Sequence, residues 1–340
     1  MPSNFCVALR DDGRVDKITD RTPDEYLGLI KSANVAWVDY SAKDLNSELE
    51  KIAGAMGFTT TPIQKLLSGF YSGYEDTDAE LGIVLPAVIV KEFDITIRPL
   101  VILIRGNLIM TVHNEDIVRL LKFSRYSQQF LKKLKADTIT DKLTLILERI
   151  IDENNDRNFE YLREIERRGD EISRMLIEEN ISKKQLAHDI YAMKHVLITY
   201  LNVLWATKDV IDTLRYGDAD LITDDEKLLG RVGILSDNLD RHIELSEQMS
   251  NVLASGLEVM QSIYNNQLQT MNNRFALVTA YLTILGTAAL VPNTIATIAS
   301  SVGDNISGQW WYWPMLGIST LIATAGSFLW VMSVWNKKEE

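Results

Sequence analysis

Cysteine occurs once in this chain, at position 6, and histidine four times. A single thiol excludes an internal disulfide framework and a cysteine metal cluster. The histidines, His113, His188, His195 and His242, do not form an HExxH pair. The chain has no P-loop, no G-x-G-x-x-G and no clustered basic patch, so nucleotide-driven pumping and nucleic-acid binding have no motif to rest on. Proline is absent from Asp237 until Pro292, which leaves a long stretch free to be helical. The most telling absence is of charge. Phe275 to Gly303 carries none, and after Asp304 there is again none until Lys337.

A composition of 46% apolar and 24% charged residues resembles an ordinary soluble protein, but the average hides a segregation. The first 274 residues hold 33 basic and 44 acidic side chains, so an acidic polar body precedes two neutral runs. A bilayer core about 30 Å thick needs roughly 20 apolar helical residues. Both runs meet that length, and the expected spans are residues 276–300 and 312–335. Trp310, Trp311, Tyr312 and Trp313 open the second run and Trp330 and Trp335 close it, as interfacial aromatic belts do. Arg274 precedes the first span and Lys337 and Lys338 follow the second, while the connecting loop carries only Asp304. Basic residues stay inside, so both termini are expected in the cytoplasm, consistent with an opening "MPSNFCVALRDDGR" that is no signal peptide.

Ahead of the spans the chain changes character once. "NFCVALR", "VAWVDYS", "LGIVLPAVIV", "DITIRPLVILIR" and "NLIMTVH" are short β-branched runs, and Arg105-Gly106-Asn107 between the last two signals a hairpin. Between Ala42 and Phe70 the spacing is helical, broken at Gly57 and re-entered at Pro62. From about Glu115 the pattern turns helical and stays so. Leu143, Leu147, Ile150, Ile151, Leu162, Ile165, Ile172 and Leu176 recur mostly at threes and fours against a highly charged opposite face, and a second run covers Leu186 to Leu214; two antiparallel helices are the natural reading. A third series, from Val232 through Leu239, Ile243, Leu253 and Leu268 to Phe275, enters the first span unbroken. One helix of some sixty residues extends on the order of 90 Å. It cannot bury its stripe alone, so assembly with copies of itself is expected. The expected organisation is an α/β domain at 1–115, a charged helical hairpin at 116–228, a stalk helix at 229–275, spans at 276–302 and 312–336 around a loop at 303–311, and a tail at 337–340.

This order resembles the CorA-type metal ion transporter family over essentially the whole chain. "VAWVDYSAKDLNSELEKIAGAMGF" is similar to the family's W-x-D strand and helix, "NLIMTVHN" to its I-T-V-H strand, "SDNLDRHIELSE" to its D-V-x-D-H stretch, and "YLTILGTAALVPNTIATI" to its L-T-I and M-P-x-T. The resemblance implies an α+β cytoplasmic domain with a long-helix stalk and two transmembrane helices, in a funnel-shaped homopentamer whose first spans line a pore. It further implies Mg2+ or another divalent cation (Co2+, Ni2+, Zn2+) as cargo and possible regulator, no organic cofactor, no enzymatic activity, no nucleic acid, and lipid and further copies of the chain as partners in the cell (inner) membrane. The family's loop begins Gly-Met-Asn, or Gly-Val-Asn in a branch associated with zinc, and neither tripeptide occurs here. Without gaps the motif falls on Ser301-Val302-Gly303. Two extra residues move it to Gly303, Asp304 and Asn305, which keeps the glycine and asparagine and is the placement favoured here.

A pore that leaves a cation hydrated offers it amides and carbonyls. Asn305 repeated by symmetry supplies such a ring, and Asp304 adds charge that concentrates cations; alternatively Gly-Asp-Asn is simply a turn. In the first span one face collects Asn273, Leu277, Ala280, Thr283, Thr287, Val291, Thr294 and Ile298. Its threonines can line a wet axis with Leu277 and Val291 as apolar constrictions, or bond their own helix carbonyls and mediate packing. Asp237 and Asp240 lie one turn apart, where the resemblance places a sensor of intracellular metal; a solvated helix face is the alternative. Asp76 and Asp78, in "EDTDAE", are candidate facing carboxylates. A membrane-anchored scaffold or sensor that has lost conduction is the alternative reading of the whole.

Overall fold

A computed structural model describes residues 4–67, 71–91, 94–117, 120–175, 183–216, 219–302 and 308–336. Two compact units divide the chain, Met1–Glu258 and Val259–Glu340.

The first unit is built on a seven-stranded mixed sheet. Its strands are β1 (Asn4–Leu9), β2 (Val15–Thr19), β3 (Val35–Ala42), β4 (Gly73–Thr77), β5 (Glu80–Lys91), β6 (Asp94–Arg105) and β7 (Leu108–Asn114), in the order β2-β1-β3-β7-β6-β5-β4. Five of the seven are apolar runs. The two polar ones, "VDKIT" and "GYEDT", are the edge strands, where one side of the ladder meets no neighbour and charged residues are tolerated. β6 turns into β7 at Gly106, whose φ of +58° is a left-handed conformation that glycine adopts without penalty. Among the described residues only β3 and β7 pair in parallel, Asp39 opposite Thr111 and Ser41 opposite His113. A parallel pair requires a crossover, here made of the helices α2 (Leu45–Ala55) and α3 (Thr60–Leu67) and the strands β4 to β6.

Period-2 alternation sends the side chains to two cores. On one face Cys6, Ala8, Val38, Met110 and Val112 pack with Leu45 and Leu49 of α2, Ile63 and Leu66 of α3, and Tyr26 and Ile30 of α1 (Pro23–Lys31). On the other, Trp37 stacks on Phe123 of α4 (Leu120–Lys132), ring centroids 4.5 Å apart, and meets Phe5 edge-on at 4.8 Å. Two long helices follow, α5 (Ile139–Met175) and α6 (Lys183–Arg215). Asparagines hold α5 to β5: Asn154 Nδ2 donates to the Pro86 carbonyl at 3.1 Å and the Val88 amide donates to Asn158 Oδ1 at 3.2 Å. Tyr200 of α6 closes the set by donating to the Asn158 carbonyl at 2.8 Å.

The helix α7 spans Glu226–Val302, and its residues fall in both units. Asp225 caps it, its Oδ1 accepting from the amides of Lys227 (2.9 Å) and Leu228 (3.1 Å), two of the donors a helix start leaves free. Within the first unit Val232, Leu235, Leu239, Ile243 and Leu253 are buried, and Arg231 pairs with Glu148 of α5 at 2.7 Å. In the second unit the rest of α7 accompanies α8 (Tyr312–Asn336). α7 and α8 each carry a window long and apolar enough to cross a membrane, with mean hydropathy 1.8 and 1.7, and neither window is buried inside the chain. Unburied apolar helices need lipid or further helices as their solvent.

Candidate functional site

Threonine hydroxyls recur along the membrane part of α7. Thr283 donates to the Thr279 carbonyl (2.9 Å), Thr287 to Thr283 (2.8 Å) and Thr294 to Leu290 (2.7 Å). Each hydroxyl spends its proton on its own helix and keeps oxygen lone pairs to present elsewhere. Thr283 and Thr294 are exposed, as are Asn273, Leu277 and Ile298; Ala280, Thr287 and Val291 are half-buried. Thr287 also lies 3.1 Å from Ser327 Oγ, which places it at the contact with α8. Gly303, Asp304 and Asn305 lie outside the described residues.

The acidic candidates of the first unit have different surroundings. Asp240 Oδ2 accepts from Lys208 Nζ at 3.0 Å, and the same ammonium reaches Asp212 at 3.2 Å and Ser236 Oγ at 2.9 Å. Burial disfavours the Lys208 charge, yet the hydrogen bonds to Asp240 and Asp212 outweigh it and raise its pKa above that of an ordinary lysine. Asp240 thus shares a cation with Asp212 within the chain, whereas Asp237, one turn earlier, is exposed. Asp76, on the edge strand β4, is pushed above the usual carboxylate range, first by desolvation and then by Asp220 and Asp78 beside it; its Oδ1 is buried without a hydrogen-bond partner. Asp220 is a neighbour that sequence spacing does not reveal, since it sits far along the chain in the loop before α7. Glu80, close in sequence, is already engaged by the Thr59 amide and hydroxyl and by Arg105. Among the described residues no three of His, Cys, Asp and Glu gather into a group able to hold a metal.

The W-x-D and T-V-H stretches meet on the parallel pair. Trp37 Nε1 donates to Thr111 Oγ1 at 3.0 Å, Thr111 donates to Asp39, and His113 Nε2 lies 3.4 Å from the other Asp39 oxygen while its Nδ1 is 2.8 Å from the Asn114 carbonyl. All four side chains are buried. A closed buried network of this kind fixes the register of the central strands and has no free group for chemistry.

The described residues combine a mixed-sheet domain, long helices and two helices long and apolar enough to cross a membrane. The CorA-like Mg2+ transporter protein family model matches residues 32–338, and the chain belongs to that family, whose members carry divalent cations. Among solved structures it is similar to the complete CorA magnesium transporter from Methanocaldococcus jannaschii (17% identity, 97% of each chain covered, TM-score 0.73). It also resembles the full-length CmaX protein (13% identity, 100% of this chain and 99% of that one, TM-score 0.66). The ZntB cytoplasmic domain from Vibrio parahaemolyticus RIMD 2210633 matches 78% of this chain and 100% of its own (13% identity, TM-score 0.58). No curated protein sequence matches the chain.

Proposed function

We propose that this chain carries divalent metal cations passively across the cell membrane through the central pore of a homopentamer, which intracellular metal closes. The observation that carries the reading is the charge-free membrane part of α7, where Thr283 and Thr294 stand exposed with acceptor oxygens free. Such oxygens suit a hydrated ion, which exchanges hydrogen bonds through its own water shell. Asn273, Leu277, Ala280, Thr283, Thr287, Val291, Thr294 and Ile298 line the pore in this reading, Leu277 and Val291 narrowing it and Thr287 standing at its edge against α8. Asn305 and Asp304 form the outer collar. No nucleotide-binding motif occurs, so the electrochemical gradient drives the flow. The cargo is Mg2+ or a transition ion such as Co2+, Ni2+ or Zn2+, the membrane is the inner membrane with both termini in the cytoplasm, and lipid surrounds the second span.

Asp237 and Asp240 of one copy and Asp76 and Asp78 of the next bind the regulatory ion, which locks neighbouring copies together when intracellular metal is plentiful. The test is uptake of Mg2+, Co2+, Ni2+ and Zn2+ by liposomes holding the purified protein, with cross-linking to count the copies. Flux above that of empty vesicles by a pentamer is the expected result. No flux of any of the four ions overturns conduction and leaves the scaffold or sensor reading, which the absent Gly-Met-Asn favours.

A further inference from the structure

Thr287 and Ser327, 3.1 Å apart, lie equally far from the connection between their helices, which makes α7 and α8 an antiparallel pair within the second unit. Beside this contact runs a groove of about 600 Å³, lined by Ile284 of α7 and by Gly317, Thr320, Leu321, Thr324 and Phe328 of α8. The Thr320 and Thr324 hydroxyls donate to the carbonyls of Leu316 and Thr320, each at 2.7 Å, so acceptor lone pairs are what they have left to offer. Asn293 has the complementary need. Its carboxamide carries two N–H donors, the residue is exposed, and no side-chain hydrogen bond holds it among the described residues. It lies in the charge-free part of α7, about two and a half turns beyond Ile284, and so emerges on the side away from its own groove. Thr279, Gly286, Asn293 and Ser300 recur every seven residues as a small polar seam. A Cβ added at Gly286 would meet nothing within 4 Å, and the same holds at Gly317 in the groove.

We infer that the Asn293 seam of one copy seats in the α7–α8 groove of the next, its carboxamide donating to the Thr320 and Thr324 hydroxyl oxygens. Lipid tails cannot accept from an amide, and an unmet N–H in hydrocarbon is costly, so Asn293 calls for a polar partner. Its own α8 packs on another side of the helix. The level fits as well: Asn293 stands nine residues before the end of α7, and nine residues after the start of α8 comes Leu321, between Thr320 and Thr324. Copies related by rotation about the membrane normal keep that level, so donor and acceptors meet in one layer. Small residues that let backbones approach, with polar side chains as glue, are the means by which helices associate in lipid. A seam on one side of the chain and a groove on another make a heterologous contact, the kind that closes into a ring. The inference rests on the assembly proposed above and supplies its contact within the membrane; Asn293 is about 100° around α7 from Thr294, whose face stays free for the pore.

Disulfide cross-linking of the full-length chain in liposomes tests it, in a Cys6→Ala background that removes the one native thiol. Asn293→Cys combined with Thr324→Cys should, on oxidation, give a ladder of linked chains on a denaturing gel, while either cysteine alone gives none. Ile322→Cys, exposed at the same level but outside the groove, should not link to Asn293→Cys. Asn293→Leu should raise the concentration at which the oligomer dissociates in detergent by about threefold per contact, and Asn293→Gln should restore it. Light scattering by the unaltered chain counts the copies. A monomer overturns the assembly and this contact together. An oligomer linked by Asn293→Cys alone turns the amide toward its own copies and overturns the contact while the assembly stands. An oligomer in which no pair links, or in which Ile322→Cys links as well as Thr324→Cys, does the same and leaves the groove to a lipid tail.

Discussion

Lys208 stands between the chain and any metal that Asp240 binds, and replacing it by methionine has a calculable effect. Its ammonium is 3.0 Å from Asp240 Oδ2 and 3.2 Å from Asp212 Oδ2. The Lys208 side chain is 18% exposed but that of Asp240 is 52% exposed, so the pair is screened by water and contributes on the order of 0.2–1 kcal/mol. A cation arriving at Asp240 must displace the ammonium and forfeit that energy. Lys208→Met removes the competitor while keeping the aliphatic stem. The affinity of the regulatory site should then rise by about 1.4- to 5-fold, since about 1.4 kcal/mol corresponds to tenfold. Asp212, left without its cation, adds negative potential in the same direction. The assay is the Mg2+ concentration that half-inhibits flux into liposomes, or that half-protects the helices of the first unit from protease. A half-effective concentration lower by about that factor is expected, with Asp240→Asn shifting it the opposite way. If Lys208→Met leaves the midpoint unchanged, or raises it, the ammonium is not competing with metal and Asp240 belongs to an ordinary solvated helix face.

Asp39→Ala removes the shared acceptor of Thr111 and His113. Breaking a buried pair from one side costs about 3–5 kcal/mol, or roughly 6–20 °C in unfolding temperature for a unit of this size; a shift no larger than that of the exposed control Asp137→Ala would refute it. Burial alone would hold His113 neutral, but Asp39 and the Asn114 carbonyl outweigh it and raise its pKa above 6.5. The stabilisation is then complete below the unfolded histidine pKa of about 6.5 and is lost as pH climbs through the raised folded value. Unfolding temperature should accordingly fall from pH 6 toward alkaline pH, with a slope that His113→Gln flattens. Asp304→Ala should weaken the preference for divalent over monovalent cations in liposome flux and weaken inhibition by hexammine-type mimics of a hydrated ion; unchanged selectivity would reduce Asp304 to a turn residue.

The edge strands show where sequence patterning stops. β1, β3, β5, β6 and β7 announce themselves because central strands are buried on both sides of the ladder and are written in Val, Ile and Leu. β2 and β4 are visible only once their partners are known, because half-exposed strands carry Asp16, Lys17, Glu75 and Asp76 as readily as a loop does. The same limit governs the sites. Thr283, Thr287 and Thr294 can be placed on one face from spacing alone, but the contact of Thr287 with Ser327 depends on how α8 packs.

The two membrane-length helices were legible before any packing, since the missing charge from Phe275 to Gly303 and from Asn305 to Asn336 is a property of composition that no packing can alter. The sequence also carried the five central strands and the long helices, through apolar periods of two and of three to four that are local; the parallel pairing of β3 with β7 and the two edge strands came from the fold. Tertiary structure decided the partners: Lys208 for Asp240 and Asp220 beside Asp76. Each of those pairs joins residues tens of positions apart or more, and distance in the chain says nothing about distance in space until the helices are packed.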